Sequence, residues 1–314
     1  MIVIMKENAT EKQMKQVIDL VTGAGLTTQT SQDNGKTVIG LIGDTEKLFH
    51  PENTVVDVNG VKIGDGSMTM MAGPCSIESL DQIRECARIA KAGGATILRG
   101  GAFKPRTSPY AFQGLEEEGL KYIRQAADEL DMQVITEVMD EANLELVAKY
   151  SDILQIGARN MQNFKLLQAV GKTGKPIGLK RGIAGTIDEW LNAAEYIAAQ
   201  GNFNVIFIER GIRTYETATR NTLDLSAVPL IKKLSHFPII VDPSHGVGIW
   251  DLVPPMARAG VASGADGLIV EIHPDPANAW SDGPQSLNEK TYLRMMKEVH
   301  IIEKAMKEIN ALED

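Results

Sequence analysis

The sequence has few of the residues on which several protein classes depend. Only two of its 314 residues are cysteines, Cys75 and Cys86, and two thiols cannot form a disulfide framework. No apolar run approaches the ~20 residues of a membrane span, and the apolar start of the chain is too short for a signal peptide. These features predict a soluble, cytoplasmic protein with no membrane partner.

Positive charge is also in the minority. The 32 lysines and arginines are outnumbered by 41 acidic residues, which gives a net charge of −9. An acidic surface repels a phosphate backbone, so nucleic acid is not expected as a partner. The apolar fraction of 43% and the charged fraction of 23% are typical of globular proteins and exclude a disordered chain.

Eight short apolar segments after residue 67 predict β-strands, because glycine, proline or a charged residue stops each of them. These segments are 68–75, 95–101, 133–138, 153–159, 176–182, 205–211, 238–244 and 267–273. The stretches between them carry apolar residues at three- and four-residue spacing, as in 79–92, 115–130, 141–149, 186–200 and 252–263. Eight such units predict an α/β fold, a (β/α)8 TIM barrel of ~250 residues. An open dinucleotide-binding sheet is disfavoured, because the turn after the first strand lacks a glycine-rich fingerprint.

The first 48 residues have a different pattern. A strand over 2–5, a helix over 11–22 and two strands around Asp33-Asn34-Gly35 predict a small β-α-β-β segment. A second hairpin around Asn59-Gly60 is expected to cap the N-terminal mouth of the barrel. We therefore expect two domains, 1–48 and 49–314.

Positive charge is concentrated at the carboxyl ends of the predicted strands, where barrels of this kind bind substrates. Eight cations fall there, namely Arg99, Lys104, Arg106, Arg159, Lys180, Arg181, Arg210 and Arg213. Structural ion pairs with Glu137, Glu209 and Asp242 would explain one or two of them. The excess of cations predicts a multiply anionic substrate, with two phosphates or with phosphate and carboxylate.

A thiol, an imidazole and two carboxylates are expected to meet at the same mouth. Cys75, His245, Glu271 and Asp282 follow the first, seventh and eighth strands, which become neighbours when the barrel closes. This set suits one divalent ion, Mn, Fe, Co or Zn. Taken singly, His245 could be a core histidine and Cys75 a packed thiol, and His273 is a competing imidazole.

Seven short motifs together resemble the 3-deoxy-D-arabino-heptulosonate 7-phosphate (DAHP) synthase family, in its small-barrel subfamily. They are Ala72-Gly73-Pro74-Cys75, Lys104-Pro105-Arg106-Thr107-Ser108, Ile156-Gly157-Ala158-Arg159, Leu179-Lys180-Arg181-Gly182, Glu209-Arg210-Gly211, Asp242-Pro243-Ser244-His245 and Val270-Glu271. The resemblance extends from about residue 50 to the C-terminus. It implies the condensation of phosphoenolpyruvate with D-erythrose 4-phosphate, the entry step of the shikimate pathway to aromatic amino acids. It also implies a homo-oligomer, either a dimer or a tetramer.

The resemblance assigns roles to individual residues. Its metal ligands match Cys75, His245, Glu271 and Asp282. Its phosphoenolpyruvate site matches Arg99, Lys104, Glu137, Arg159, Lys180 and Arg210. Its loop for the aldose phosphate matches Lys104, Pro105, Arg106 and Thr107. Lys104, Glu137 and Lys180 are the candidate catalytic residues, the last two for water and its protons.

Three other functions remain as alternatives. The sister enzyme, 3-deoxy-D-manno-octulosonate 8-phosphate synthase, uses arabinose 5-phosphate, but its second-strand loop typically reads Lys-Ala-Asn-Arg-Ser, whereas here Pro105 alone separates Lys104 from Arg106. A lapsed, non-catalytic phosphate-binding barrel would not need the metal-ligand set. A metal-free aldolase would use Lys180 as a Schiff-base nucleophile.

The N-terminal segment departs from its relatives. They usually carry a complete β-α-β-β-α-β regulatory module of ferredoxin-like or ACT-like type. This chain passes from Leu48 to His50-Pro51 without a second helix or a last strand in its pattern. The departure predicts that feedback inhibition by tyrosine or phenylalanine is weakened or lost.

Overall fold

The computed structural model of the chain describes residues 2–6, 8–23, 27–33, 36–42, 52–104, 108 and 110–312. The chain divides into two compact units, Met1–Asn53 with Lys233–His236, and Thr54–Lys232 with Phe237–Asp314. The division predicted between residues 48 and 49 stays a prediction.

The first unit is a small sheet with one helix. Its elements are β1 (Ile2–Ile4), α1 (Glu11–Gly23), β2 (Thr27–Asp33) and β3 (Lys36–Ile42). The antiparallel strands have the order β1-β3-β2. Val21 of α1 and Ile39 of β3 are fully buried in one small apolar cluster, which explains why the helix needs its apolar stripe. The predicted β-α-β-β order is confirmed, whereas the predicted omission after Leu48 falls outside the described residues.

The second unit begins with the hairpin β4 (Val56–Val58) and β5 (Val61–Ile63). Asn59 and Gly60 both have positive φ, +51° and +94°, as a two-residue hairpin turn of this hand requires. Val56 and Ile63 are buried in the cluster that fills the barrel interior. The Asn59 amide donates to Gln133 Oε1 at 2.7 Å and Asp152 Oδ1 at 3.1 Å. Since Gln133 is the first residue of a barrel strand, the hairpin caps the N-terminal mouth, as predicted.

Eight parallel strands close the barrel, and each lies within one predicted segment. They are β6 (Thr69–Gly73), β7 (Ile97–Arg99), β8 (Gln133–Glu137), β9 (Ile153–Ile156), β10 (Ile177–Lys180), β11 (Val205–Glu209), β12 (Ile239–Val241) and β13 (Gly267–Glu271). β13 pairs with β6 over five residues, so the first and last strands are neighbours. The strands are apolar almost throughout because one face packs on the interior and the other on helices.

Helices follow the barrel strands, and all except one short helix at the mouth cover the outer face. They are α2 (Leu80–Ala92), α3 (Glu116–Asp128), α4 (Leu144–Tyr150), α5 (Phe164–Lys172), α6 (Ile187–Ala198), α7 (Ala227–Leu234), α8 (Pro243–Val247), α9 (Val253–Ala262) and α10 (Glu289–Asn310). Local sequence sets their starts: Thr186 and Glu189 form a capping box that begins α6. Among the described residues, none of these helices combines the length and apolar character needed to cross a membrane.

The capping hairpin allows a stability prediction. We expect Asn59→Ala to lower the free energy of unfolding by about 2 kcal/mol, because alanine is strained at positive φ and two side-chain hydrogen bonds are lost. Asn59→Gly keeps the turn relaxed and should cost only about 1 kcal/mol. Urea denaturation of the two variants and the parent measures both values. Equal stability of all three proteins would contradict the role given to the amide.

Candidate active site

Cys75 lies two residues beyond β6 in a crowded polar environment. Its side chain is almost fully buried. The Sγ atom is 3.1 Å from Ser281 Oγ, 3.3 Å from Asp282 Oδ2 and 3.0 Å from Lys104 Nζ. Burial, reinforced by the Glu271 carboxylate and opposed by Lys104, raises the pKa of the thiol to about 11. The thiol is therefore protonated at neutral pH, and a cation that binds it must displace the proton.

Three of the four predicted metal ligands meet beyond the carboxyl ends of β6 and β13, whereas His245, after β12, contacts only one of them. Cys75, Glu271 and Asp282 each offer one ligand atom, and these atoms all lie within 4.8 Å of one another. His245 joins the group through Glu271, since its Nε2 atom is 3.4 Å from Glu271 Oε1. Asp282 has φ +51°, an uncommon conformation for a residue other than glycine. A soft thiol, an imidazole and two carboxylates are a donor set that fits a divalent transition ion.

The acidity of the two carboxylates also suits a cation site. Burial raises the pKa of Glu271, but His245 and Arg99 outweigh it and bring the pKa below its usual value. Arg220 does the same for Asp282, whose pKa falls to about 2 despite its burial. Both groups are therefore ionised at neutral pH and available as ligands.

Asp242 orients His245. It caps the short helix α8 by accepting a hydrogen bond from the His245 amide at 2.9 Å. Its Oδ2 atom is 2.7 Å from His245 Nδ1 and 2.7 Å from Lys180 Nζ. The Nδ1 contact has an ion-pair distance without hydrogen-bond geometry, so we interpret it as electrostatic. A proton on Nδ1 would face this carboxylate, and the unprotonated Nε2 atom would then have a lone pair available to bind a metal ion.

The buried cations of the mouth differ in how they are neutralised. Arg99 donates to Pro74 O at 2.6 Å and pairs with Glu271 at 2.9 Å. Lys180 pairs with Asp242, and burial lowers the pKa of its amine. Arg210 is also buried, but within the described residues its guanidinium has only the Gly211 carbonyl as a hydrogen-bond partner, at 3.3 Å. Burial lowers the pKa of Arg210, and a bound anion would relieve this unpaired charge.

Arg181 corrects the sequence interpretation of the mouth. It was expected among the substrate-facing cations, but it pairs with Glu209 at 3.1 Å and Asp224 at 2.7 Å. Its Nε atom also donates to the Gly185 carbonyl. Arg181 therefore forms structural ion pairs and does not face the substrate. It is one of the one or two cations that such pairs were expected to explain.

Glu137, Arg159 and Lys104 complete the described part of the mouth. Glu137 ends β8 and lies so close to Gly157 that a Cβ there would be 2.0 Å from its Oε1 atom. Arg159 follows β9 with an exposed side chain. Lys104 donates to the Cys75 carbonyl at 2.9 Å as well as to the thiol. Pro105, Arg106 and Thr107 of the same loop lie outside the described residues.

Three further polar residues belong to the site, and the structure places the second candidate histidine outside it. Ser281 touches the thiol, and Arg220 and Gln285 contact the carboxylates from other loops. No local pattern marks these residues. His273 is turned away, with Nε2 3.3 Å from Glu78 and Nδ1 accepting the Asp275 amide, so it belongs to the loop structure.

Comparison with known proteins gives a consistent result along the whole chain. The profile of the DAHP synthetase I family matches residues 48–308, and that of the DAHP synthase ferredoxin-like domain matches residues 1–62. A phospho-2-dehydro-3-deoxyheptonate aldolase of Thermotoga maritima is 48% identical, with 95% of this chain and 96% of the relative covered. A 2-dehydro-3-deoxyphosphooctonate aldolase of Magnetococcus marinus is 31% identical over 82% of this chain and 96% of the relative.

Solved structures agree with the sequence comparison. The crystal structure of the Thermotoga maritima DAHP synthase matches with a TM-score of 0.82 and 47% identity, covering 97% of both chains. A truncated form of the Thermotoga maritima 3-deoxy-D-arabino-heptulosonate 7-phosphate synthase matches with a TM-score of 0.78 and 50% identity. It covers 83% of this chain and 96% of its own.

Proposed function

The chain belongs to the DAHP synthetase I family, and from this premise we infer that it condenses phosphoenolpyruvate with D-erythrose 4-phosphate to DAHP and phosphate. This reaction is the entry step of the shikimate pathway. The match at 48% identity favours the four-carbon acceptor, whereas the octulosonate-forming relatives are more distant, at 28% to 32% identity. The sequence prediction of a DAHP synthase on a TIM barrel is confirmed.

We propose that Cys75, His245, Glu271 and Asp282 hold one divalent ion, Mn, Fe, Co or Zn. The proposal is supported by the convergence of a buried thiol and two ionised carboxylates within 4.8 Å, with an imidazole beside them. When bound, such an ion would supply Lewis-acid polarisation of the erythrose 4-phosphate aldehyde. Asp242 supports this site by fixing the ring of His245.

We propose that Arg210 is the central residue of the phosphoenolpyruvate site. The observation that carries this assignment is its buried guanidinium, which forms no ion pair within the described part of the chain. Arg99 and Arg210 both lie close enough to Lys180 to lower the pKa of its amine. Arg159, which follows β9, likewise lowers the pKa of the Arg210 guanidinium. Together they would hold the phosphate and the carboxylate and fix the face of the enol.

Carbon 3 of phosphoenolpyruvate then bonds to the aldehyde carbon, water adds at carbon 2, and phosphate leaves by cleavage of its C–O bond. We propose that Glu137 and Lys180 position this water and transfer its protons. Lys180 suits proton transfer because burial lowers the pKa of its amine. Glu137 is half-buried at the end of β8, facing the same mouth.

We propose that Lys104 holds the acceptor together with Pro105, Arg106 and Thr107. The Lys104 ammonium lies at the thiol of Cys75, so the acceptor loop begins directly beside the metal ligands. This proximity would place the aldose aldehyde next to the ion. Assembly into a homo-oligomer, a cytoplasmic location and weakened feedback inhibition stay predictions.

An assay of phosphate release tests the function. We expect turnover of phosphoenolpyruvate with erythrose 4-phosphate, slower turnover with arabinose 5-phosphate, loss of activity with a chelator, and recovery when Mn²⁺ or Co²⁺ is added back. Faster turnover of arabinose 5-phosphate would instead assign the sister activity. Chelator-resistant activity with borohydride trapping at Lys180 would identify a Schiff-base aldolase, and no turnover with either acceptor would indicate a lapsed barrel.

A further inference from the structure

Arg220 connects the two proposed carboxylate ligands, Asp282 directly and Glu271 through Gln285, although it lies on a different loop from both. It lies between β11 and α7, and its side chain crosses to the loop after β13. Its Nη1 atom is 2.6 Å from Gln285 Oε1 and 3.3 Å from Asp282 Oδ2. One guanidinium therefore touches a proposed ligand directly and a neutral amide beside it.

Gln285 passes the contact on to the second carboxylate. Its side chain is buried, and its Nε2 atom donates to Glu271 Oε2 at 2.6 Å. Arginine can only donate, so Gln285 must turn its oxygen towards Arg220 and its NH2 group towards Glu271. The orientation of the amide, and with it the Glu271 carboxylate, is thus set by Arg220.

The position of Arg220 is fixed by its contacts at the C-terminal end of α8. Its amide donates to the Val247 carbonyl at 2.9 Å. Gly248 has φ +71°, and a Cβ at that position would lie 2.4 Å from Arg220 Cβ. The absence of a side chain at residue 248 therefore leaves the space that the arginine stem occupies.

We propose that Arg220 and Gln285 are positioning residues that hold Asp282 and Glu271 in the arrangement the divalent ion needs. This inference rests on the proposed metal site. Gln285 holds Oε2 of Glu271, while Oε1 accepts a hydrogen bond from Arg99 at 2.9 Å and faces His245 at 3.4 Å. Both oxygens of the carboxylate are therefore held in place around the proposed ion. The contact from Arg220 would limit the rotation of the Asp282 side chain, which lies on the loop between β13 and α10. Partners of this kind typically change metal affinity by about 10- to 100-fold.

Positioning and simple electrostatics predict opposite results. A cation beside a divalent ion repels it, so by charge alone the loss of Arg220 would strengthen metal binding. If Arg220 acts by position, its loss weakens metal binding although a repulsive charge has been removed. A substitution that keeps the charge but changes the geometry separates the two effects.

The test is a Co²⁺ titration of the metal-free protein of residues 1–314 without substrates, monitored by the thiolate-to-cobalt charge-transfer band. We expect Arg220→Lys, Arg220→Met and Gln285→Met each to weaken Co²⁺ binding about 10-fold or more. Arg294→Met, on the exposed face of α10, is the matched control and should bind as the parent does. Thermal melting of the metal-free variants checks that each is folded, and only folded variants are compared.

The titration distinguishes a wrong positioning role from a wrong metal site. Parent-like binding by Arg220→Lys with tighter binding by Arg220→Met would show a purely electrostatic effect and overturn the proposal. Parent-like binding by every folded variant would also overturn it. If the parent itself gave no band that depends on Cys75, the metal site of the proposed function would be wrong, and the positioning role would be wrong with it.

Discussion

Replacing Cys75 by serine is expected to lower kcat/KM about 10³-fold at trace metal concentrations. The thiolate is the softest of the four proposed ligands, and a serine hydroxyl stays protonated and binds a transition ion weakly. Cys75 is buried between Asp282 and Lys104, and the neighbouring Ser281 side chain offers only another hydroxyl in place of the thiolate. Metal content after dialysis, and kcat/KM with added Mn²⁺ or Co²⁺, measure the effect.

Cys86 provides the control for this substitution. It is fully buried in α2, and its Sγ atom is 3.9 Å from the Ile272 carbonyl. Burial raises the pKa of this thiol well above its usual value, as expected of a packed core residue. Cys86→Ala should therefore retain metal content and chelator-sensitive turnover per mole of folded protein. Cys75→Ser activity within tenfold of the parent, still sensitive to the chelator, would show that the sulfur is not a ligand.

Asp242→Asn is expected to lower kcat/KM by about 10²- to 10⁴-fold. The carboxylate meets Lys180, the His245 ring and the His245 amide at once. Burial raises the pKa of Asp242, but His245 and Lys180 outweigh it and hold the pKa well below its usual value, so the group is an anion in the folded protein. An amide there can donate to Nδ1, which favours the wrong tautomer, and it leaves Lys180 as a buried, unpaired cation.

Asp242→Asn will also destabilise the fold, by about 3 kcal/mol, because it breaks a buried ion pair. The double variant Asp242→Asn/Lys180→Met removes both charges, so its urea unfolding shows how much of the stability loss comes from the unpaired cation. It also removes a proposed catalytic amine, so its activity is expected to stay low. We expect the double variant to recover part of the unfolding free energy in urea but none of the kcat/KM. Activity of Asp242→Asn within tenfold of the parent would contradict the orienting role.

The barrel itself could be predicted from local sequence. Every strand is a short apolar run that must be covered on both faces, and amphipathic stretches of helical length follow at regular intervals. Because all carboxyl ends of parallel strands meet at one mouth, the positions of Cys75, His245 and Glu271 followed from the strand count alone. The turn signal at Asn59-Gly60 likewise predicted the capping hairpin, since positive φ at both residues is a local property.

Which of these groups is free to bind a ligand is decided only by the tertiary structure. Arg181 and Arg210 both follow barrel strands, yet Arg181 meets Glu209 and Asp224 whereas Arg210 meets no carboxylate among the described residues. His245 and His273 show the same contrast, since Nε2 of His245 faces Glu271 in the site, whereas both ring nitrogens of His273 contact loop residues, Glu78 and Asp275.

The sequence by itself thus determined the fold, the reaction and the end of the barrel at which it occurs, because periodicity and motifs are local. The link from Arg220 through Gln285 to Glu271 joins loops far apart in the chain and leaves no periodic trace. Only the closed barrel decides such contacts, because the pairing of a buried charge depends on which distant loop returns beside it.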